Sequence, residues 1–450
     1  MMHLHPHNRG MGMSVAGRQL CRPAAALGPE SWVPIRARSG SRGQRPDATV
    51  PPMFRWPDIP YLRWARSQGE PPFAEIALTQ SGMSPPDPGL LGDFGAADLL
   101  HFPVGDHPPL AFRLAEEWKI PPERVLVQPG THLSILLLLA ARLGERPGPV
   151  IVEEPAYEPL WAIPQALGAD VLRWPRPRAT GFTLDPGSLD RLVAASPSVM
   201  VLSHPHNPTG AQLTANDVGL LRTLQEKTGC AVVSDEVYAE FTEPAKAVSV
   251  RTALRGDVAT IRSFTKVFGL GTLRCSGVVA PTEWIERTAA LTDHAAVAVS
   301  GPSQAVAHRA WDQRHVLWER ARHAAAAGRD VVGAWLGRQA GRVEAPLADT
   351  GIICFPRLDE ESHVAALRYA RRHGVEGPFG FALDGIEDSS HVWIEDLRRR
   401  TGVQLTPGVF FGDPHAFRLG YGGDPEQLRE GLARLDDYLS KARAAFTETQ

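Results

Sequence analysis

The chain has 450 residues, enough for two domains, or one large domain with an attached lobe, around a substantial buried core. Its 47 basic and 50 acidic residues leave a formal charge of −3, which excludes a nucleic-acid or membrane-surface role driven by bulk charge. The four cysteines (Cys21, Cys230, Cys275, Cys354) lie far apart with no C-x-x-C pair; they suggest neither a disulfide framework nor a zinc site and read as reduced thiols of a cytoplasmic protein.

Residues 1–55 stand apart from the rest. Up to residue 50, seven arginines face two acids, Glu30 and Asp47, with no hydrophobic periodicity. The segment reads as a disordered tail, or as translation from upstream of the true start with Met53 as the initiator. An organelle transit peptide or a nucleic-acid arm is the alternative, and His3, His5 and His7 make only a loose metal tract.

Residues 56–100 are expected to join a small lobe, and 101–310 to form a large domain. Within the latter, short Val- and Ile-rich strands are predicted at Val125–Val127, Val150–Val152, Val171–Leu172, Val199–Leu202, Ala231–Val233, Val258–Ile261 and Gly277–Val279. Helical stretches such as Thr131–Arg142 and Asn216–Thr228 separate several of them. Strands alternating with helices predict a mainly parallel sheet covered on both faces. The run Leu133–Ala141 is about half the ~20 residues a membrane span needs, so it reads as a buried core helix. Residues 311–450 read as a smaller α+β lobe. A helical pattern spans about 302–340, with strands near 351–355 and 416–419 and a closing helix from Pro425 to Ala445.

The informative polar residues sit at strand ends, where open parallel sheets bind ligands. Strand Val199–Leu202 runs into Ser203-His204-Pro205-His206-Asn207-Pro208-Thr209-Gly210. Ala231–Val233 runs into Ser234-Asp235-Glu236-Val237-Tyr238, and Val258–Ile261 leads to Ser263-Phe264-Thr265-Lys266, with Arg274 eight residues on. Each motif alone reads equally well as a turn or a helix start. Three successive strand ends carrying them in this order point to a site. Lys266 is one of only five lysines in the chain, and Phe264, Val267 and Phe268 around it do not suit a surface position.

The run HPHNPTG…SDEVY…SFTKVFGLGTLR closely resembles the fold-type I pyridoxal 5′-phosphate (PLP) enzymes of the class I/II aminotransferase family, over about residues 75–440. That resemblance implies an α/β fold: a large domain with a mainly parallel seven-stranded sheet between helices, plus a smaller α+β domain. It further implies that Lys266 forms the Schiff base with PLP, that Asp235 pairs with the pyridine nitrogen, and that Asn207 and Tyr238 bond the ring's phenolic oxygen. Ser263, Arg274 and the backbone of Gly130-Thr131-His132 would hold the phosphate, Tyr157 would stack on the ring, and Arg418 would take the substrate carboxylate. Asn207 and Gly82 would also line the substrate side, and family members build each site from two chains of a homodimer.

The chemistry asked of these residues agrees. A carboxylate such as Asp235 keeps a pyridine nitrogen protonated. A lysine that exchanges imines must have its charged form disfavoured by burial and nearby cations. A phosphate suits a helix N-terminus and an arginine fork, and an α-carboxylate suits bidentate Arg418. The bland alternatives are a helix cap at Asp235, a strand-to-helix turn at Gly130, core packing at Tyr157 and an exposed arginine at Arg418. Two departures from the family pattern stand out. Phe102, or His101, replaces a tyrosine that reaches the partner's phosphate, and Ser81-Gly82-Met83 replaces a Gly-Pro-type substrate segment. Residues 374–390 form a longer stretch than is usual.

The implied reaction is transfer of an amino group from an amino acid to a 2-oxo acid. Its rivals are other PLP reactions on an amino acid (β- or γ-lyase, cyclising synthase, oxidase) and a non-catalytic PLP-fold sensor. The intact Lys266 and the lack of a helix-turn-helix pattern in residues 1–100 speak against the sensor. Nothing in the sequence names the substrate side chain.

Overall fold

In each central strand the side chains divide between two opposite apolar layers. Val150 and Val152, Val199 and Val201, and Ala231 and Val233 pack on one side of the sheet with Ile135, Leu138 and Leu139 of helix Thr131–Glu145. Ile151, Met200, Leu202 and Val232 face the other side, against Leu192, Leu221 and Leu224. The two-residue repeat of a strand sends neighbours to opposite faces, so a sheet covered on both sides must be apolar throughout. This explains why these segments read as unbroken Val/Ile runs.

The computed structural model describes residues 56–67, 73–93, 95, 109–243, 248–339, 341–375 and 388–447. The tail 1–55, Phe102, His101 and most of the 374–390 stretch lie outside them. The seven predicted strands all form and join one sheet. Its order is Val125–Gln128, Ser276–Val279, Val258–Ser263, Ala231–Asp235, Val199–Ser203, Val150–Glu154, Val171–Pro175. Only Ser276–Val279 runs against the direction of the other six strands. The carboxyl ends of the parallel strands therefore share one edge, and the amino end of Ser276–Val279 joins them there. That reversal carries Arg274 to the same edge as Lys266.

Helix Ala215–Thr228 starts with a capping box between Thr214 and Asp217 and stops at Gly229 in the left-handed conformation, which satisfies the end groups that a helix cannot pair internally. The helical pattern over 302–340 divides into Gly301–Asp312 and Arg314–Gly337, meeting at Gln313. The strand expected at 351–355 shortens to Ile353–Cys354, which pairs antiparallel with Phe417–Gly420; the latter also pairs with Thr406–Pro407. From the N-terminal side, Ile76–Ala77 runs parallel to Val403–Gln404. Cys230, Cys275 and Cys354 are free and buried. Among the described residues no helix is long and apolar enough to cross a membrane.

A buried ion pair anchors the loop after strand Val199–Ser203. Arg176 Nη1 donates to Glu153 Oε2 at 2.6 Å, both side chains being fully buried. Glu153 Oε1 accepts from Ser203 N at 2.7 Å and from its hydroxyl at 2.9 Å. Ser203 Oγ in turn accepts from Asn207 N at 2.9 Å. Removing one member of a buried pair strands the other charge. Glu153→Ala is therefore expected to lower stability by about 3–5 kcal/mol, seen as a lower urea midpoint; an unchanged midpoint would contradict this role.

Candidate active site

Five of the segments leaving the shared sheet edge carry residues singled out in the sequence. Gly130 follows Val125–Gln128 and caps helix Thr131–Glu145 at φ 88°, a conformation open to glycine at little cost. A β-carbon there would sit 2.5 Å from Arg274 Nη2, so the arginine lies across the helix N-terminus where Thr131 and His132 begin the first turn. Burial, then Arg274, lowers the His132 pKa, which keeps that imidazole neutral. Arg274 itself has a positive φ of 50°. Its one hydrogen bond among the described residues is to the Gly271 carbonyl, at 3.4 Å. Ser263 ends its strand buried, its oxygen accepting from Thr265 N at 2.8 Å, which leaves the hydroxyl proton to donate. Fixed amides at a helix start, an arginine fork and a hydroxyl form a cradle for a dianion.

Lys266 follows in the same loop and is not a surface lysine. Burial, reinforced by Arg418 and Arg274 and opposed by Asp235, brings its amine down to about 8. The amine donates to Ser81 Oγ at 2.8 Å and lies 6.0 Å from the Tyr238 ring centre. Asp235, at the end of its strand, is 6% exposed, and one carboxylate oxygen has no partner. Burial, opposed by Lys266, pushes this acid up to about 7. The short 3-10 turn that follows begins after Tyr238, so Asp235 does not serve as its cap. The Tyr238 hydroxyl, with Ser81 as a polar neighbour, meets no partner within hydrogen-bond geometry. Burial raises its pKa, so it stays a phenol able to donate.

Arg418 is buried on the middle strand of the small sheet, not exposed. It donates from Nη1 to Asn207 Oδ1 at 3.1 Å and from Nη2 to Thr79 O at 3.2 Å and the Tyr61 hydroxyl at 3.3 Å. Its Nε is buried without a partner. Because guanidinium only donates, Asn207 must present its oxygen to Arg418, and its amide N–H groups remain for another acceptor. The Arg418 guanidinium carbon lies 5.0 Å from the centre of the Phe411 ring. Tyr157 packs edge-on against Tyr61, with ring centres 5.2 Å apart. Its phenol is raised first by burial, then by Tyr61, Asp235 and Tyr238. Gly82 lies against Lys266: a β-carbon there would be 3.4 Å from both Cα and Cδ of the lysine.

Among the described residues the structure thus gathers the expected site residues at one edge, and it adds Tyr61 and Glu158, which the sequence did not suggest, and a role for Ser81. Tyr61, on helix Pro60–Ser67, reaches Arg418 from far upstream, and its backbone N–H donates to Glu158 at 2.6 Å. Burial pushes Glu158 up to about 7. Ser81 had stood out only as a departure from a pattern. No motif marks Tyr61 or Glu158, since their meeting depends on the tertiary fold.

Residues 100–435 match the family model described as aminotransferase class I and II. The chain is 27% identical over 363 residues to the histidinol-phosphate aminotransferase of Halorubrum lacusprofundi, covering 76% of this chain and 83% of that one. It is similar to the solved structure of a PLP-dependent cyclase, OrfR, at TM-score 0.69 and 27% identity, over 88% of this chain and 100% of the other. It shares its fold with a Thermus thermophilus aspartate aminotransferase variant, at TM-score 0.65 and 21% identity over 81% of this chain and 96% of that one.

A lysine whose pKa is near 8 is uncharged in roughly a tenth of molecules at pH 7, against far less than a hundredth for an ordinary lysine. In the cofactor-free protein, labelling of Lys266 by trinitrobenzenesulfonate is expected to rise to about pH 8–9 and then level off, because the lowered pKa exposes the neutral amine early. Peptide mapping across pH checks this; a rise continuing past pH 10 would contradict it.

Proposed function

The chain belongs to the class I and II aminotransferase family of PLP-dependent transferases, and from that premise we propose that the Lys266 site moves an amino group from an amino acid to a 2-oxo acid. The observation that carries this is the convergence of a part-neutral lysine, a buried acid with an open oxygen and a buried arginine with an open Nε. The site suits PLP. Asp235, raised by burial, would be relieved by a cationic ring nitrogen. The Asn207 amide and the Tyr238 hydroxyl are donors left over for a phenolic oxygen. Gly130, Thr131, His132, Ser263 and Arg274 provide the dianion cradle, and Tyr157 offers a flat face. When bound, PLP supplies the electron sink for the pair left behind when a Cα–H bond breaks.

This chain's residues then divide the work. Arg418 binds the carboxylate of the incoming amino acid and, with the aromatic rings around it, fixes the orientation of Cα. Gly82 leaves room for the substrate beside the lysine. The Lys266 amine would take the Cα proton on its nitrogen and return it to the cofactor's C4′ carbon. Because the amine titrates near 8, it is a competent base at neutral pH. Asp235 would stay ionised opposite a cationic ring nitrogen and would neither take nor give a proton during turnover. The second, incoming 2-oxo acid uses the same contacts in reverse.

A cyclising reaction on an amino acid is the second reading, favoured by likeness to the cyclase OrfR. Both readings need the same lysine and acid. We further propose a large lobe over 101–310, a smaller one over 311–450 completed by 56–100, and a cytoplasmic homodimer. The separate small sheets support the lobes and the buried free thiols the cytoplasm, while the homodimer rests on the family resemblance alone.

Soaking the purified protein in PLP should give a yellow chromophore that borohydride fixes to Lys266, and Lys266→Ala should lose both this and turnover by at least about 100-fold. Transamination predicts one equivalent of 2-oxo acid from an amino donor alone; ammonia or a cyclised product without amine transfer would favour the rival. Arg418→Lys, which keeps charge but loses the fork, should raise KM for the amino donor roughly 10- to 100-fold, the cost of charge-assisted hydrogen bonds. An unchanged KM would remove Arg418 from substrate binding.

A further inference from the structure

The segment Leu78–Met83 is pinned between the two halves of the site. Gly420 N donates to Leu78 O at 2.8 Å, and a β-carbon on Gly420 would come within 1.9 Å of Gln80 O, so only glycine admits so close an approach. Thr79 O accepts from Arg418. At its far end, Met83 N donates to the Lys266 carbonyl at 2.8 Å. Ser81 lies between these anchors, half-buried, and its oxygen accepts from the Lys266 amine at 2.8 Å. The same hydroxyl neighbours that of Tyr238. A main chain anchored on both sides of Ser81 keeps its hydroxyl within reach of the amine.

We propose that Ser81 is a positioning residue for the proposed reaction: it holds the free Lys266 amine by one N–H, so that the nitrogen lone pair is directed away from Ser81, toward the substrate's Cα proton. This rests on the reading of Lys266 as the proton-moving lysine. In the step concerned, the C–H bond breaks, its proton joins the Lys266 lone pair, and the electron pair stays with the substrate carbon. Ser81 gains and loses nothing; it restricts the amine's rotation. A four-carbon side chain otherwise samples many rotamers, and orientation is a large part of rate. The charged groups acting on the amine are Arg418, Asp235 and Arg274, and the Tyr238 ring faces it at 6.0 Å; among the described residues only Ser81 hydrogen-bonds it as an uncharged acceptor. By the resemblance noted in the sequence, Ser81 stands in a segment where a Gly-Pro-type stretch is expected.

Two measurements test it. In single turnover with PLP-loaded enzyme and an amino donor, Ser81→Ala should slow the first half-reaction about three- to tenfold, the range of one ordinary hydrogen bond. The donor's KM should hold, and the isotope effect from α-deuterated donor should grow. Ser81→Thr, which keeps the hydroxyl, should restore both. In the cofactor-free protein, the labelling midpoint of Lys266 should fall in Ser81→Ala, because the ammonium form loses an acceptor, and stay in place in Ser81→Thr. If Ser81→Ala does not fold, Ser81→Cys, a poorer acceptor, reads the same shift. Equal rates and midpoints in wild type and Ser81→Ala, or a Ser81→Thr no better than Ser81→Ala, overturn the proposal. The labelling arm needs no cofactor. Failure of the Lys266 reading would appear instead as no borohydride-fixed chromophore in wild type, with the Ser81 midpoint shift still present.

Discussion

A lysine amine withdrawn from water and faced by cationic arginines is the condition the rest of this structure serves. Burial, Arg418 and Arg274 all disfavour the ammonium of Lys266, while Asp235 and the Ser81 acceptor favour it. Neither acid nor base sits at its ordinary value. Asp235, ordinarily at 3.8, is held near 7, so it penalises folding increasingly as pH rises between those values. Lys266, ordinarily at 10.5, is held near 8, so it penalises folding increasingly as pH falls between those values. Each unit is worth about 1.4 kcal/mol. A protein keeps such a site only if the remainder over-determines it.

The sheet supplies that over-determination. Its central strands are buried on both faces, so their ends have little freedom, and each functional loop starts within a few residues of a strand end. Asn207 illustrates the point. Its backbone is tied through Ser203 to Glu153 and so to Arg176, while its side-chain orientation is set by Arg418 from the other sheet. One residue is thereby fixed from two directions, and its amide donors are aimed by exclusion. Arg418 likewise couples the small sheet to the large one, because its partners include Asn207 after strand Val199–Ser203 and Tyr61 on the N-terminal helix.

Aromatic packing completes the surroundings of Arg418. Tyr61 touches Tyr157, Phe410 and Phe411 with ring centres 5.2 to 5.9 Å apart, and Glu158 holds its backbone N–H. Few of these groups compete as anions for the guanidinium, so its open Nε remains available to a substrate carboxylate. The same rings exclude water, which strengthens the charge interaction.

Local sequence indicated the seven strands of the large sheet, the helices near 131–142, 216–228 and 425–445, and the strand-end motifs that carry Lys266, Asp235, Asn207, Tyr238 and Arg274; Arg418 came from the family resemblance. Those features depend on residue type, on a two-residue or 3.6-residue repeat and on motifs that follow strand ends. Two helices stood where one was expected, because the break at Gln313 has no glycine or proline to announce it. Tertiary structure alone decided which residue touches the amine. The hydroxyl of Ser81 meets Lys266 across 185 positions of chain, and Tyr61 meets Arg418 across 357. No periodicity within a segment encodes such meetings; they arise only when separate segments are packed against one sheet edge.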